Sequence, residues 1–468
     1  MSLHPRPLLK LKRQEAPPSS ASWTEPWNEW INEILTQTRQ RLGDPSFCHQ
    51  HRIHAKAFTR RRHFTFVNCV TFLMQKTLRS IQSHVHAFFE ALGQHCPGLT
   101  PAAWSRARVK LSYTAFMALN DETILQAVYR DRADPRLRLW RGHRLAAIDS
   151  SLQRLPNRDK LGEEFGWVEC KNDAGECGRY PQARLSALTD VLNRLAFHTL
   201  FEPWTKGERD LAIVHLEHLK PWDLALLDRG FAEYPLWARF VHAARKFVCR
   251  CQASSFTIVN QLFEENQAGC SVVVELRPAR NHLEELKQAG LPKEITLRFV
   301  TVRLSTGELE VLATNLLDEA LYPTDCFEEL YHYRWGIETY YGLLKGRLDL
   351  GNFTGYTAEA IRQDVYSTIF VSNLESILIS PANQQLQEES APLMYRQQVN
   401  HVVSFHAIKS HIIALLASQQ PLAQIVSQLH ELFLANPTTV RPERKVPRKK
   451  PSAWRSYNYQ RYVKKIVF

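Results

Sequence analysis

Residues 331–345 read YHYRWGIETYYGLLK, with Tyr331, Arg334, Glu338 and Lys345 at offsets 0, 3, 7 and 14. On a helix turning about 100° per residue these four positions fall within roughly 60° of one another. One face then carries a carboxylate between two cations and a phenol. Ile337, Tyr340, Leu344 and Leu348 fall on the opposite side, as a helix docked on a core requires. A solvated face held by weak ion pairs has the same spacing, so the helix alone does not decide between a surface and a site. Gly342 and Gly346 lie near the polar face, where each costs roughly 1 kcal/mol of helix propensity relative to alanine. Close approach of the backbone to a ligand is one reason to accept that cost.

The residues that decide lie upstream. RLAAIDSS at 144–151 and DLALLDRGF at 223–231 are short apolar runs that predict buried strands ending in Asp149 and Asp228. A charge at the end of a buried strand is costly unless something pairs with it. Either aspartate alone also reads as a satisfied cap or core residue. Two of them and an acidic helix predict that Asp149, Asp228 and Glu338 converge, provided the strands are neighbours and the helix packs beside them. Such an oxygen-only set suits Mg²⁺, with Mn²⁺ as a substitute, and disfavours zinc. It has room for two ions about 4 Å apart, the arrangement for in-line attack on a phosphodiester. Arg334 and Lys345 would then grip backbone phosphates, and Tyr331 would hydrogen-bond a phosphate oxygen.

The net charge of +12 is unevenly placed. Residues 1–140 hold 20 Lys and Arg against 10 Asp and Glu, residues 441–468 hold 10 against 1, and the stretch between is net negative by 7. Basic ends around an acidic centre suit a protein whose flanks hold a polyanion while its middle supplies carboxylates for cations. Nine cysteines without framework spacing read as free thiols in a reducing compartment. Neither Cys48 with His49, His51 and His54 nor Cys249 with Cys251 has a second ligand pair at zinc-site spacing. The N-terminus lacks an apolar signal region, and no run of about 18 apolar residues occurs. The expected location is the cytoplasm, beside the chromosome, with no membrane and no small-molecule substrate.

Changes of pattern divide the chain. Residues 1–25 read as a disordered arm, and 26–140 as a helical DNA-binding domain with apolar residues at helical spacing, as in HFTFVNCVTFLMQKTLRSIQSHVHAFFEAL. Within it Thr100 reads as an N-cap and Pro101 as the first helical residue, followed by Arg106, Arg108 and Lys110. That basic helix fits either a DNA-recognition element or a solvated face. Arg60, Arg61 and Arg62 begin another apolar helix and fit a sequence-blind phosphate clamp. Residues 141–252 alternate strands with a helix over 207–219, which indicates a mixed α/β domain. Residues 253–325 read as a β-rich insertion built from SFTIVNQLF, CSVVVELRP, EITLRFVTVRL and LEVLATNLL. The second part of the core spans 326–380, a helical C-terminal region 381–440, and a basic tail 441–468. Trp454, Tyr457, Tyr459 and Tyr462 in that tail fit backbone binding to DNA, or mere solubility.

The Tyr331, Arg334, Glu338, Lys345 spacing, together with DRGF around Asp228, resembles the Tyr-Arg-Glu-Lys signature of DDE transposases. The resemblance is specifically to the insertion-sequence-four family of bacterial cut-and-paste enzymes and extends from about residue 100 to about 380. It implies a ribonuclease H-like catalytic core in which Asp149, Asp228 and Glu338 occupy the family's three acidic positions, the last two separated by a β-rich insertion. It further implies double-stranded DNA as substrate, a homodimer on terminal inverted repeats, excision through hairpin ends and joining to target DNA. Two departures stand out. Ser150-Ser151 follows the first aspartate where many relatives have Gly-Ser or Gly-Thr. No Trp occurs between Trp237 and Trp335, so a base-stacking face in the insertion would fall to Phe256, Phe263 or Phe299, which also read as core. A catalytically silent DNA-binding regulator and a stand-alone metal-dependent nuclease are the competing readings.

Overall fold

The structure, a computed structural model, describes residues 21–60, 62–76, 80–171, 177–304 and 307–441. Arg61, the first twenty residues of the arm and the tail from 442 onward lie outside the described residues. The helical pattern begins earlier than expected, with a helix over Ala21–Gly43.

The centre is a nine-stranded sheet. Its strands are β1 (Arg144–Arg154), β2 (Trp167–Lys171), β3 (Cys177–Asp190), β4 (Leu195–Pro203), β5 (Asp223–Leu227), β6 (Lys246–Cys251), β7 (Ser271–Leu276), β8 (Ile295–Arg303) and β9 (Leu309–Thr314). They lie in the order β4-β3-β1-β5-β6-β9-β8-β7, with β2 on the first residues of β3. β1, β5 and β6 are parallel to their neighbours among themselves, and the remaining pairs are antiparallel.

β5 is buried along its whole length, which is why it reads as a continuous apolar run instead of an alternating one. Both faces are covered. Ala147, Leu226 and Val248 join the apolar cluster that includes Ile337, Tyr341 and the terminal helices. Ile148, Leu227 and Cys249 join the opposite cluster, built with Trp237 and Phe240 from the helix Tyr234–His242.

Three of the four strands read in 253–325 are present, and they extend the main sheet through the β6–β9 pairing. The fourth is a correction: SFTIVNQLF forms a helix over Thr257–Glu265. Its β-branched and aromatic residues favour a strand, but Val259 and Leu262 are spaced to bury one helical face. Asn266, at φ 50°, ends it in the left-handed conformation. Phe299 is fully buried in the core and offers no stacking face, and Phe256 stacks on Trp237 at 4.8 Å.

A 32-residue helix, Ala358–Glu389, follows the glutamate segment, and every residue from Gln363 to Ile379 is buried. Its polar residues are paired. Asp364 accepts from Arg108 at 2.8 Å, Asn373 bonds Asn120 and both backbone groups of Ala196, and Glu375 accepts from Ser404 at 2.5 Å and His401 at 2.8 Å. The N-terminal helices and the helices His401–Leu416 and Leu422–Ala435 pack into the same apolar cluster. Among the described residues no helix is long and apolar enough to cross a membrane.

Candidate active site

β1 and β5 run parallel with Ile148 opposite Leu227, so Asp149 and Asp228 are the next residues on neighbouring strands. β5 ends there as expected, whereas β1 runs on to Arg154 because β3 continues to pair with it, which makes Asp149 a mid-strand residue and not a strand end. Side chains alternate along a strand. The two aspartates therefore continue the face of Ala147 and Leu226, the one covered by the helix Trp335–Gly346. Asp149 Oδ1 accepts from the Ser150 N–H at 2.7 Å, and Asp228 Oδ1 from the Arg229 N–H at 2.7 Å.

The 331–345 segment is two helices, Cys326–His332 and Trp335–Gly346, with a turn at Tyr333-Arg334 between them. This alters the expected single polar face. Tyr331 is 2% exposed and its hydroxyl donates to the Leu227 carbonyl at 3.4 Å, so it braces the end of β5 and is not placed to meet a phosphate. Ile337, Tyr340, Leu344 and Leu348 are buried. Lys345 is exposed and donates to Ser151 Oγ and the Leu152 carbonyl at the end of β1. A Cβ added at Gly342 or Gly346 would meet nothing within 4 Å, so both glycines border open space.

Tyr341 locks the glutamate helix to the aspartate strand. Its buried hydroxyl lies 2.8 Å from the Asp149 carbonyl and 3.2 Å from that of Leu185 on β3. Glu338, three residues earlier, is one helical turn away on the same side.

Arg334, expected to grip a phosphate, is instead a buried cation paired with Glu338. It is 2% exposed, pairs with Glu338 at 2.8 Å and stacks 4.8 Å from the Trp335 ring. Burial alone would lower its pKa, but Tyr331, Glu338 and Asp228 together hold it above the ordinary arginine value. Burial pushes the Asp149 carboxyl up to about 6, with Glu208 and Asp228 adding to the rise and Arg334 and the Ser150 N–H opposing it. Although Lys345 is exposed as a whole residue, desolvation of its ammonium where it meets Ser151 and Leu152 lowers its pKa, and Asp149 partly restores it.

Among the described residues no three His, Cys, Asp or Glu side chains stand in metal-holding geometry. The ready-made three-carboxylate site expected from the sequence is therefore not displayed among the described residues, and Glu338 is paired with the buried guanidinium of Arg334. The donor chemistry still fits a hard divalent ion. It is oxygen-only and is drawn from β1, the residue that follows β5 and a docked helix.

Glu208 and Arg184 also lie beside the candidate site and went unread in the sequence, and Ser150, noted there only as a departure from relatives, joins them. Arg184 Nη1 donates to Glu208 at 2.5 Å and to Ser150 Oγ at 2.8 Å, beside an open groove that Lys345 borders. Nothing local announces them, because Arg184 lies in mid-strand on β3 and Glu208 at a helix start. Tyr341 was within reach, since it stands one turn after Glu338.

Of the basic residues expected to meet DNA, Arg60, Arg62 and Arg106 are exposed and Lys110 is half-buried. Arg108 is a correction. It is 5% exposed and fully engaged with Gln363, Thr354, Ala360 and Asp364, so it is a core cation.

Two aspartates on neighbouring strands thus share one sheet face with the helix that bears Glu338, with Arg334 buried beside Glu338 and Lys345 at the open edge. Residues 140–374 match the transposase DDE domain family, and the chain belongs to that family. It is similar to the transposase InsG for insertion sequence element IS4 of Escherichia coli (strain K12), at 23% identity over 283 residues, 59% of this chain and 61% of that protein. The chain thus spans about three fifths of that relative's length. A solved structure, the cryo-EM structure of a piggyBac transposase synaptic complex with hairpin DNA, matches at 10% identity over 86% of this chain and 77% of that one, with a TM-score of 0.37.

Proposed function

We propose that the protein is a transposase that moves an insertion sequence by cut-and-paste, cutting double-stranded DNA at terminal inverted repeats and joining the ends to target DNA. The observation that carries this reading is the placement of Asp149 and Asp228 side by side, just past the last parallel pair of β1 and β5, on the sheet face that the helix bearing Glu338 covers. Asp149, Asp228 and Glu338 would hold two Mg²⁺ ions, or Mn²⁺. When bound, such ions supply charge neutralisation for phosphodiester hydrolysis and transesterification. The chain's own groups do the positioning. Tyr341 fixes Asp149 against the glutamate helix, Lys345 waits at the groove for a phosphate, and Arg334 holds Glu338 until the site is loaded.

The order β4-β3-β1-β5-β6, antiparallel on one side of β1 and parallel on the other, supports a ribonuclease H-like core over 141–252 and 326–380, with 253–325 as the insertion. Exposed Arg60, Arg62 and Arg106 support a DNA-binding role for 26–140. A homodimer on DNA and a place in the bacterial cytoplasm go with this function.

The test is purified protein with Mg²⁺ and DNA carrying the element's ends. We expect strand transfer that Glu338→Gln, Asp149→Asn and Asp228→Asn each abolish while DNA binding persists. Binding without cleavage would identify a regulator instead, and cleavage without joining a nuclease.

A further inference from the structure

We propose that the groove beside Asp149 is a docking site for one backbone phosphodiester of DNA, and that Glu208 occupies it as an internal stand-in until DNA displaces it. This rests on the reading that the protein acts on DNA. Ser150 Oγ and Arg184 Nη1 each donate to the same oxygen, Glu208 Oε1, at 2.5 Å. A charged fork and a hydroxyl converging on one anionic oxygen are what a phosphate oxygen requires. The two partners differ in freedom. Arg184 is anchored by a bond from Nη2 to the Trp204 carbonyl at 3.3 Å and its side chain is 14% exposed, whereas the Glu208 side chain is 43% exposed. The carboxylate can swing into solvent while the donors stay in place.

The surroundings fit the same ligand. The groove is open, and Lys345 faces it from the far wall with its ammonium near Ser151. A phosphate in place of Glu208 would meet Arg184 and the Ser150 hydroxyl, one residue along β1 from Asp149, with Lys345 elsewhere on the same open groove. Exchanging an internal carboxylate for phosphate leaves Arg184 paired in both states, so neither state strands a half-buried cation. Asp210 lines the groove too, with no bond to Arg184, and separates a specific effect from one of net charge.

The experiment measures binding of a short labelled duplex by fluorescence anisotropy, without added metal, for wild type, Glu208→Gln, Glu208→Ala, Asp210→Asn, Arg184→Gln and the Glu208→Gln/Arg184→Gln pair. We expect both Glu208 variants to tighten binding by roughly fivefold more than Asp210→Asn does, a coupling of ordinary size for charged groups in contact. That gain should vanish in the Arg184→Gln background. A gain equal to that of Asp210→Asn, or one that survives without Arg184, overturns the stand-in role. So does weaker binding by Glu208→Gln at an unchanged melting temperature. If wild type binds no DNA, the transposase reading fails separately. The site is then decided with pyrophosphate as probe, which must show the same dependence on Glu208 and Arg184.

Discussion

Arg106 and Arg108 stand two positions apart in the short helix Pro101–Arg108, yet one faces solvent and the other the core. Two helical positions are about 200° of rotation, so both cannot face one ligand. The partner that claims Arg108, Asp364, lies 256 residues away, and no local pattern reveals it. Arg108→Met is expected to cost about 3–5 kcal/mol, the range for stranding a buried charge, seen as a fall in the denaturant midpoint. Arg106→Gln should leave that midpoint unchanged, weaken DNA binding and reduce its salt slope by about one. Tyr341→Phe removes one hydroxyl from two carbonyls, and we expect a loss of about 1 kcal/mol. Cleavage should fall in this variant while DNA affinity holds. Unaltered cleavage would end its positioning role.

At the scale of elements the legible parts were those with strong periodicity or burial. The apolar runs at 144–148 and 223–227 gave β1 and β5, and with them the adjacent aspartates. The break at Tyr333-Arg334 was not legible, because it goes with tertiary packing: the two helices bury Tyr331 against the end of β5 and Tyr341 against the middle of β1. A histidine group between elements was equally hidden. His198 on β4 lies Nδ1 to Nδ1 2.8 Å from His215, stacks 3.5 Å from His218, and His215 Nε2 lies 2.9 Å from Ser186 Oγ. Burial lowers His215 well below the ordinary histidine value and His198 to about 3, with neighbouring imidazoles adding to both shifts. Their folded pKa values are thus depressed relative to about 6.5 in the unfolded chain. The unfolded state binds protons first as pH falls, so stability is intact above about 6.5 and is lost progressively below it. The expected slope between pH 6 and 4 approaches about 1.4 kcal/mol per pH unit for each histidine that must charge. Denaturant unfolding across pH measures it, and His198→Gln should flatten the slope. An unchanged slope in that variant would assign the acid lability elsewhere.

At the scale of the whole molecule, the N-terminal helices, one face of the sheet and the C-terminal helices share a single apolar cluster. Sequence composition divided these regions by charge and pattern, but it could not show that they bury one another. A shared core predicts a single unfolding transition, with far-ultraviolet circular dichroism and tryptophan fluorescence tracing coincident curves. A separate early transition for residues 26–140 would contradict it. The long helix Ala358–Glu389 sits where these regions meet, and this has a consequence for synthesis on the ribosome. Asn120 and Arg108 find their partners on it across 253 and 256 residues. At roughly 5–20 residues per second, the N-terminal helices spend on the order of tens of seconds with exposed apolar faces before that helix emerges. Nascent chains stopped short of residue 358 should therefore be aggregation-prone and chaperone-bound, and those that reach the end of the long helix should not be.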